Sequence, residues 1–157
     1  MNINIIDPAT GKVFTQSIAE PQPAFYDFTG QFEFSDEQVR AYIDRMDWSA
    51  DVKAMVYSFT KATITAGKVI IKIGRKIIDI LFTVLRQFPL LTFGVVFGYV
   101  VGALIAAIPL IGTLLAPIAT PLAILFGVVL VFPYELRTGE LGARISAIVD
   151  KFAPLRT

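Results

Sequence analysis

The feature that most limits the fold of this chain is a long stretch without charge. Residues 87–134, between Arg86 and Glu135, form a run of 48 residues that contains no Asp, Glu, Lys or Arg. A charged side chain at the centre of a bilayer costs about 2.5–3.5 kcal/mol on insertion scales, and about 20 apolar residues cross the hydrocarbon core. The stretch therefore predicts two membrane crossings joined by a tight connection, in a chain that is 55% hydrophobic.

Prolines divide this stretch into two predicted helices. Pro89 suits the first turn of a helix, and Pro109 suits the connection between two helices. Span one is then predicted over Leu90–Ile108 and span two over Gly112–Phe132, which ends before Pro133. The predicted fold class is mainly α and integral to the membrane, with a two-span transmembrane helical hairpin over residues 87–134.

Residues 1–34 are predicted to form a short extended N-terminal arm that contains a β-hairpin. Two strand-like runs, residues 2–6 and 12–15, flank a turn that contains Pro8 and Gly11. Aromatic residues are frequent between residues 25 and 34. The arm is therefore expected to pack either against a partner protein or against the downstream helices.

Residues 35–86 are predicted to form a helical region in the cytoplasm or at the membrane interface. Ser35 and Gln38 have the spacing of a capping box for a first helix, which should run to about residue 47. Apolar residues then recur at helical spacing over residues 52–84, opposite a basic face. This pattern predicts a long basic amphipathic helix, with an interruption near Gly67 or Gly74 left open.

The C-terminal residues 135–157 are predicted to form a short amphipathic helix and a tail. Apolar residues recur at helical spacing between Gly139 and Phe152. Charged residues of both signs return in this part of the chain, which carries a net charge of +1. A short amphipathic helix followed by a tail is the structure that this pattern favours.

Charge is distributed unevenly along the chain. Residues 1–50 carry a net charge of −5 and residues 51–86 carry +5. Basic residues, among them Arg137 and Arg144, flank the apolar stretch on both sides, and none lies in the connection at Pro109. The positive-inside rule then predicts a multi-pass protein of the cell membrane with both termini in the cytoplasm. The residues expected to contact anionic lipid headgroups are Lys68, Lys72, Arg75, Lys76 and Arg86, and a solvated helix face is the alternative.

Small residues recur every three or four positions in both predicted spans. In a bilayer, helices associate mainly where small residues let the backbones approach closely. The residues predicted to form a helix-packing or oligomer interface are Gly94, Gly98, Gly102, Ala106, Gly112, Ala116, Thr120, Ala123 and Gly127. The same groove could instead seat the second span of the same hairpin, and this alternative stays open.

Two prolines, Pro117 and Pro121, lie inside the second predicted span. Each removes a backbone donor, and its ring clashes with the carbonyl four residues earlier, so the helix must kink or unwind locally. The two prolines are therefore predicted to form a kink. A functional hinge and a wetted backbone segment lining a pore are alternatives. A re-entrant segment over Gly112–Thr120, with span two beginning only at Pro121, is disfavoured because the remaining twelve residues are short for a crossing.

Several kinds of chemistry are excluded or disfavoured by composition. The chain has no Cys and no His, which excludes disulfides, thiolate catalysis, histidine bases and zinc sites built from these residues. No phosphate-binding loop, dinucleotide fingerprint or nucleophile elbow is present. The sequence therefore predicts no catalytic residue, no metal site and no cofactor, and hence a protein that is not an enzyme. Nucleic acid is also disfavoured as a partner, because the basic helix has a continuously apolar opposite face.

Three functions are consistent with these features. The first hypothesis is a small integral membrane protein that self-associates through glycine-rich helices and forms or gates a pore. The second is a non-conducting, membrane-anchored scaffold or assembly subunit of a larger complex. A third, a toxin-like chain whose other form hides the hairpin, is disfavoured because the remaining 109 residues would have to shield a long apolar stretch. The partners expected are membrane lipids, copies of the chain itself and a protein bound by the N-terminal arm.

Overall fold

The chain folds into helices that pack around and beside a small antiparallel sheet. The computed structural model describes residues 1–7, 10–128 and 139–156. The strands are β1 (Asn2–Ile6), β2 (Val13–Ser17), β3 (Thr63–Ala66) and β4 (Val69–Ile71). The helices are α1 (Pro23–Gly30), α2 (Asp36–Arg45), α3 (Ala50–Thr60), α4 (Ile73–Gln87), α5 (Phe93–Ala107), α6 (Pro109–Leu125) and α7 (Glu140–Lys151). A short 3₁₀ turn, Ala153–Leu155, follows α7.

The four strands pair in the order β2–β1–β3–β4. Ile3 on β1 lies opposite Gln16 on β2 and opposite Ala66 on β3. Side chains alternate between the two faces, so Ile3 and Ile5 are buried while Asn4 is exposed. The two predicted N-terminal strands are confirmed. The predicted arm is wrong, because β1 pairs on both sides and is an inner strand of the sheet.

Residues 23–30 form α1, a helix that the prediction of an extended segment missed. Pro23 occupies the first turn of α1, where a helix needs no backbone donor. The aromatic residues after it pack against downstream helices: the Phe28 ring lies 5.2 Å from that of Phe152, and the Phe34 ring lies 6.1 Å from that of Phe82. The predicted packing of this segment against the downstream helices is confirmed, and a partner protein bound by the same segment stays a prediction.

Two helices are confirmed close to their predicted bounds. In α2 the Ser35 hydroxyl accepts from the Gln38 amide at 3.1 Å, and the Gln38 side chain accepts from the Ser35 amide at 2.8 Å. These two bonds form the predicted capping box and satisfy donors that a helix start leaves free. In α7, Ile145, Ile148 and Val149 are buried, as the amphipathic pattern requires.

The long basic amphipathic helix predicted over residues 52–84 is wrong. Helix α3 ends at Thr60, and strands β3 and β4 then form a hairpin before α4 begins at Ile73. Gly67, the first residue of the two-residue turn, has a φ of +62°, which glycine adopts without strain. The β-branched residues from Thr63 onwards alternate between buried and partly buried, as in a strand.

The prediction of two transmembrane spans is also wrong. Thr92 caps α5 by accepting from the Val95 amide at 3.3 Å, so that helix begins three residues later than predicted and has 15 residues. Helix α6 has 17 residues. At 1.5 Å per residue these helices are about 22 and 25 Å long, short of the roughly 30 Å of hydrocarbon. No helix of the described chain is long and apolar enough to cross a membrane, and this finding overturns the integral-membrane fold and the multi-pass location.

Helices α5 and α6, from the described part of the apolar stretch, contribute much of the interior of the protein. Helix α5 packs against α4, α6 and α7, and α6 packs also against α3. Val96, Phe97, Val100, Val101 and Leu104 of α5 have no more than traces of exposed surface. A helix that is apolar on all sides must be buried, and folded protein buries this one as completely as lipid would. The other described elements thus cover most of α5 and one side of α6.

Some predictions lie outside the described residues. These are the end of span two at Phe132, the proline at 133 and the basic flank at Arg137. The predicted division at residues 34, 86 and 134 stays a prediction. The buried apolar residues of the sheet and the helices belong to one hydrophobic cluster that runs from Ile3 to Leu155.

Candidate functional site

The small residues predicted as an interface lie at different depths in the protein. Gly94, Gly98, Gly102 and Ala123 are buried. Gly112 and Ala116 are partly buried, whereas Ala106, Thr120 and Gly127 are exposed. They therefore do not form one surface that a second chain could reach, and a membrane glycine zipper is not supported.

Gly94 shows how a small residue is used inside this chain. A Cβ atom at Gly94 would lie 2.9 Å from the Cβ of Phe126, which is closer than real Cβ contacts. The Phe126 ring lies 5.5 Å from Phe93, 5.8 Å from Phe97 and 5.3 Å from Trp48. The absence of a side chain at Gly94 thus lets the end of α6 pack into an aromatic cluster at the start of α5. This packing agrees with the alternative in which the small residues seat the second helix of the same hairpin.

The two prolines lie on the solvent-facing side of α6. Thr113, Pro117, Thr120, Pro121 and Ile124 are all exposed and recur at helical spacing. The carbonyls that Pro117 and Pro121 leave without an amide partner can therefore be hydrated on this face. Both prolines stay within the helix, whose bounds include them.

The basic residues predicted to contact lipid divide into two groups. Lys68 and Lys72 are exposed, and Arg86 is an exposed residue whose Nη2 donates to Glu33 Oε2 at 2.6 Å. Arg75 and Lys76 are 5% and 7% exposed. Arg75 and Lys76 are bound by residues 31–36, which lead from α1 into α2 and cover the polar face of α4.

Asp79 organises this buried polar cluster. Its carboxylate accepts from the Glu33 amide at 3.1 Å and from the Phe34 amide at 2.8 Å. Arg75 donates through Nε to Asp36 Oδ1 at 3.1 Å and through Nη2 to the Phe34 carbonyl. Its Nη1 lies 3.5 Å from Asp79 Oδ1 and has no hydrogen bond within the described residues. Burying these charges is tolerable because each faces an opposite charge or a backbone dipole.

Lys76 is the most perturbed cation of the cluster. Its Nζ donates to the Gln31 carbonyl and lies 4.6 Å from the centre of the Phe28 ring. Burial lowers the pKa of the Lys76 ammonium below its ordinary value, and Asp79 partly opposes this shift. The ammonium lines a cavity of about 230 Å³ together with Arg144 and Lys151 of α7 and Glu33. The Gln31 carbonyl and the Phe28 ring thus hold the ammonium, and the cavity beside it is lined by charges of both signs.

The lowered pKa of Lys76 predicts a pH dependence of stability. Between the folded and the ordinary pKa the unfolded chain binds more protons, so the contribution of Lys76 to stability rises with pH in this window. We expect the free energy of unfolding of the native protein, relative to that of Lys76→Met, to increase as the pH rises towards the ordinary lysine pKa of 10.5. Urea titrations at each pH measure this difference. Lys68→Met removes an exposed lysine and is the control, and an equal pH trend in both variants would contradict the prediction.

Large apolar side chains are exposed at one end of the α5–α6 pair. Leu90, just before α5, is 97% exposed, and Ile124 and Leu125 at the end of α6 are 71% and 53% exposed. Phe93 lies shortly after Leu90, and Phe126 directly follows Leu125. The rings of Phe93 and Phe126 are in contact, so the start of α5 and the end of α6 lie at the same end of the helix pair. We call Leu90, Ile124 and Leu125 the apolar end.

Within the described residues, no group of three or more Asp or Glu side chains is placed to hold a metal ion. No protein-family model, no curated protein and no solved structure matches this chain.

Proposed function

We propose that the protein is an assembly subunit that acts by binding, and that it associates with a second copy of itself through the apolar end. The observation that carries the proposal is the exposure of Leu90, Ile124 and Leu125 on one end of the helix pair. Scattered single apolar residues are normal on a surface, but large apolar side chains gathered in one place mark interaction sites.

A second copy suits this surface better than a partner of unlike chemistry. The segments that carry the apolar end belong to the charge-free stretch 87–134, so the patch itself offers no charge that would select an oppositely charged partner. Two identical uncharged patches can meet about a two-fold axis, which is the commonest symmetry of protein dimers. Removing one leucine side chain from water stabilises an interface by about 1.5–3 kcal/mol.

This proposal keeps the assembly part of the sequence-based hypotheses and leaves out the membrane. A pore or a membrane anchor required spans that the described helices are too short to provide. Self-association and a scaffolding role required only exposed surface, and the apolar end supports that reading.

The proposal predicts that a charge in the apolar end dissociates the assembly. Leu90→Glu and Ile124→Glu each place a carboxylate where the partner copy would bury it, and an unpaired buried charge is costly. We expect a dimer at about 10 μM protein for the native chain and a monomer for either variant, a loss of affinity of about 100-fold or more. Light scattering coupled to size-exclusion chromatography measures the mass directly.

Ile70→Glu is the matched control for these variants. Ile70 lies on β4 and is 63% exposed, so the same substitution adds the same charge away from the apolar end. The control should keep the mass of the native protein. A native chain that is monomeric up to about 100 μM, or a control that dissociates as fully as Leu90→Glu, would refute the proposal.

A further inference from the structure

A second surface of the protein is a cleft in which positive charge predominates. The cleft has a volume of about 350 Å³ and lies between α2, α3, β3 and the start of α4. Its charged lining residues are Arg40, Lys61, Lys72, Arg75 and Asp36. Four cations thus face one carboxylate across a space large enough for a small ligand. We call it the basic cleft.

Three of these cations are free to bind something. Arg75 is buried, is paired with Asp36 and Asp79 and donates to the Phe34 carbonyl, so its charge and most of its donors are already used within the protein. Arg40, Lys61 and Lys72 are exposed, and no carboxylate in the described part of the chain lies within ion-pair distance of them. Exposed cations that converge in one cleft and have no ion-pair partner raise the local potential and attract anions.

The backbone around the cleft holds the three cations in place. Arg40 lies on α2, Lys61 ends α3 and Lys72 precedes α4. Helix α4 has no acidic residue in its first turn and no side-chain cap, so the positive end of its dipole adds to the potential near Lys72. The Gly74 amide donates to the Ala62 carbonyl at 3.0 Å, which fixes the start of α4 against the end of α3.

The neutral groups of the cleft limit what the ligand can be. The Tyr57 hydroxyl donates to Asp44 Oδ1 at 2.6 Å, and this hydrogen bond raises the pKa of Tyr57 above its ordinary value. The Thr60 hydroxyl donates to the Tyr57 carbonyl at 2.6 Å. Both hydroxyls are thus already used as donors, and the ligand must be held by cationic donors together with the lining residue Thr63.

We infer that the basic cleft binds a small anion that carries a phosphoryl group. A phosphoryl group bears about −2 charge and offers three acceptor oxygens in different directions. Arg40 supplies a planar fork of donors that matches two of these oxygens, and Lys61 and Lys72 supply point charges. A single carboxylate would neutralise only part of the excess charge, and its two oxygens lie in one plane. This binding surface is independent of the apolar end.

Thermal unfolding of the full chain with inorganic pyrophosphate as the probe tests the inference. A ligand that binds only the folded protein raises its unfolding midpoint in proportion to the logarithm of ligand concentration. We expect a rise of several degrees at about 10 mM pyrophosphate and a dissociation constant below about 1 mM by calorimetry. Succinate, a dicarboxylate at the same ionic strength, should give a smaller shift.

Substitutions in the cleft distinguish a binding site from general attraction by a basic protein. Arg40→Gln and Lys72→Gln should each weaken pyrophosphate binding by about tenfold, since each removes a charge-assisted hydrogen bond. Lys68→Gln removes an exposed cation that does not line the cleft and should leave the affinity unchanged. All three positions are exposed, so the variants should fold, and their midpoints without ligand check this.

Two results would overturn the inference that the basic cleft is an anion-binding site. One is the absence of any midpoint shift or binding heat with pyrophosphate at about 10 mM. The other is an equal loss of affinity in Lys68→Gln and Arg40→Gln, which would mean attraction to the overall charge rather than to the cleft. A tighter dissociation constant for succinate than for pyrophosphate would likewise reject the phosphoryl group as the recognised chemistry.

Discussion

Replacing Gly74 with alanine should lower the free energy of unfolding by about 3 kcal/mol or more. A Cβ atom at this position would lie 1.8 Å from the carbonyl oxygen of Phe59 and 3.1 Å from the Cβ of Ala62. The first of these atoms belongs to the backbone of α3, which cannot rotate away as a side chain would. The start of α4 would have to move off α3, and the Gly74 hydrogen bond to the Ala62 carbonyl would be lost with it. Urea unfolding measures the effect.

Gly30→Ala is the control for this prediction. Gly30 is the last residue of α1, and a Cβ atom there would have no atom within 4 Å. Alanine is favoured over glycine in helices by up to about 1 kcal/mol, so the control should be neutral or slightly stabilising. If Gly74→Ala proved as stable as Gly30→Ala, the close packing of α4 on α3 would be incorrect.

Replacing Asp79 with alanine should cost about 3–5 kcal/mol of stability. Asp79 is 2% exposed, and its removal leaves the Glu33 and Phe34 amides without their acceptor and Arg75 without its buried counter-charge. An unpaired buried charge is penalised more strongly than a lost surface contact is. Chemical unfolding followed by circular dichroism measures the loss.

Two further variants separate the charge effect from a general effect of truncation. Asp36→Ala removes the exposed partner of the same arginine and should cost no more than about 1 kcal/mol. The double variant Arg75→Met, Asp79→Ala should be more stable than the sum of the single effects predicts, because it removes both charges together. Strict additivity in this cycle would show that Asp79 and Arg75 do not depend on each other.

The local elements could be predicted from the sequence where short-range signals decide the structure. The capping box at Ser35 and the apolar spacing in α7 act within a few residues, so they identified helices correctly. The hairpin at Gly67 also carried a local signal, namely alternating β-branched residues around a glycine turn. That signal was missed because the same isoleucines also recur at helical spacing over a longer window.

The environment of the apolar stretch could not be predicted in the same way. Absence of charge states only that α5 and α6 avoid water, and lipid and folded protein satisfy that demand equally. Helix length is what distinguishes a buried helix from a membrane span here, and the cap at Thr92 limits α5 to 15 residues. The cap had a sequence signal, because threonine before an apolar run is a favoured start of a helix.

The candidate surfaces depend on contacts between distant parts of the chain. Arg75, Lys76 and Asp79 could be placed on the polar face of α4, but only the packed fold shows residues 31–36 covering them. Arg40, Lys61 and Lys72 are likewise apart in the sequence, and the packing of α2, α3 and α4 brings them to one cleft. No local pattern encodes either arrangement.

The strand order has a consequence for how the protein is made. Strand β1 leaves the ribosome well before its second neighbour β3, which follows only at residues 63–66. At about 5–20 residues per second, the free hydrogen-bonding edge of β1 stays open for several seconds during translation. During that interval the open edge can pair with a strand of another nascent chain, and slower translation before Ala66 would lengthen the exposure.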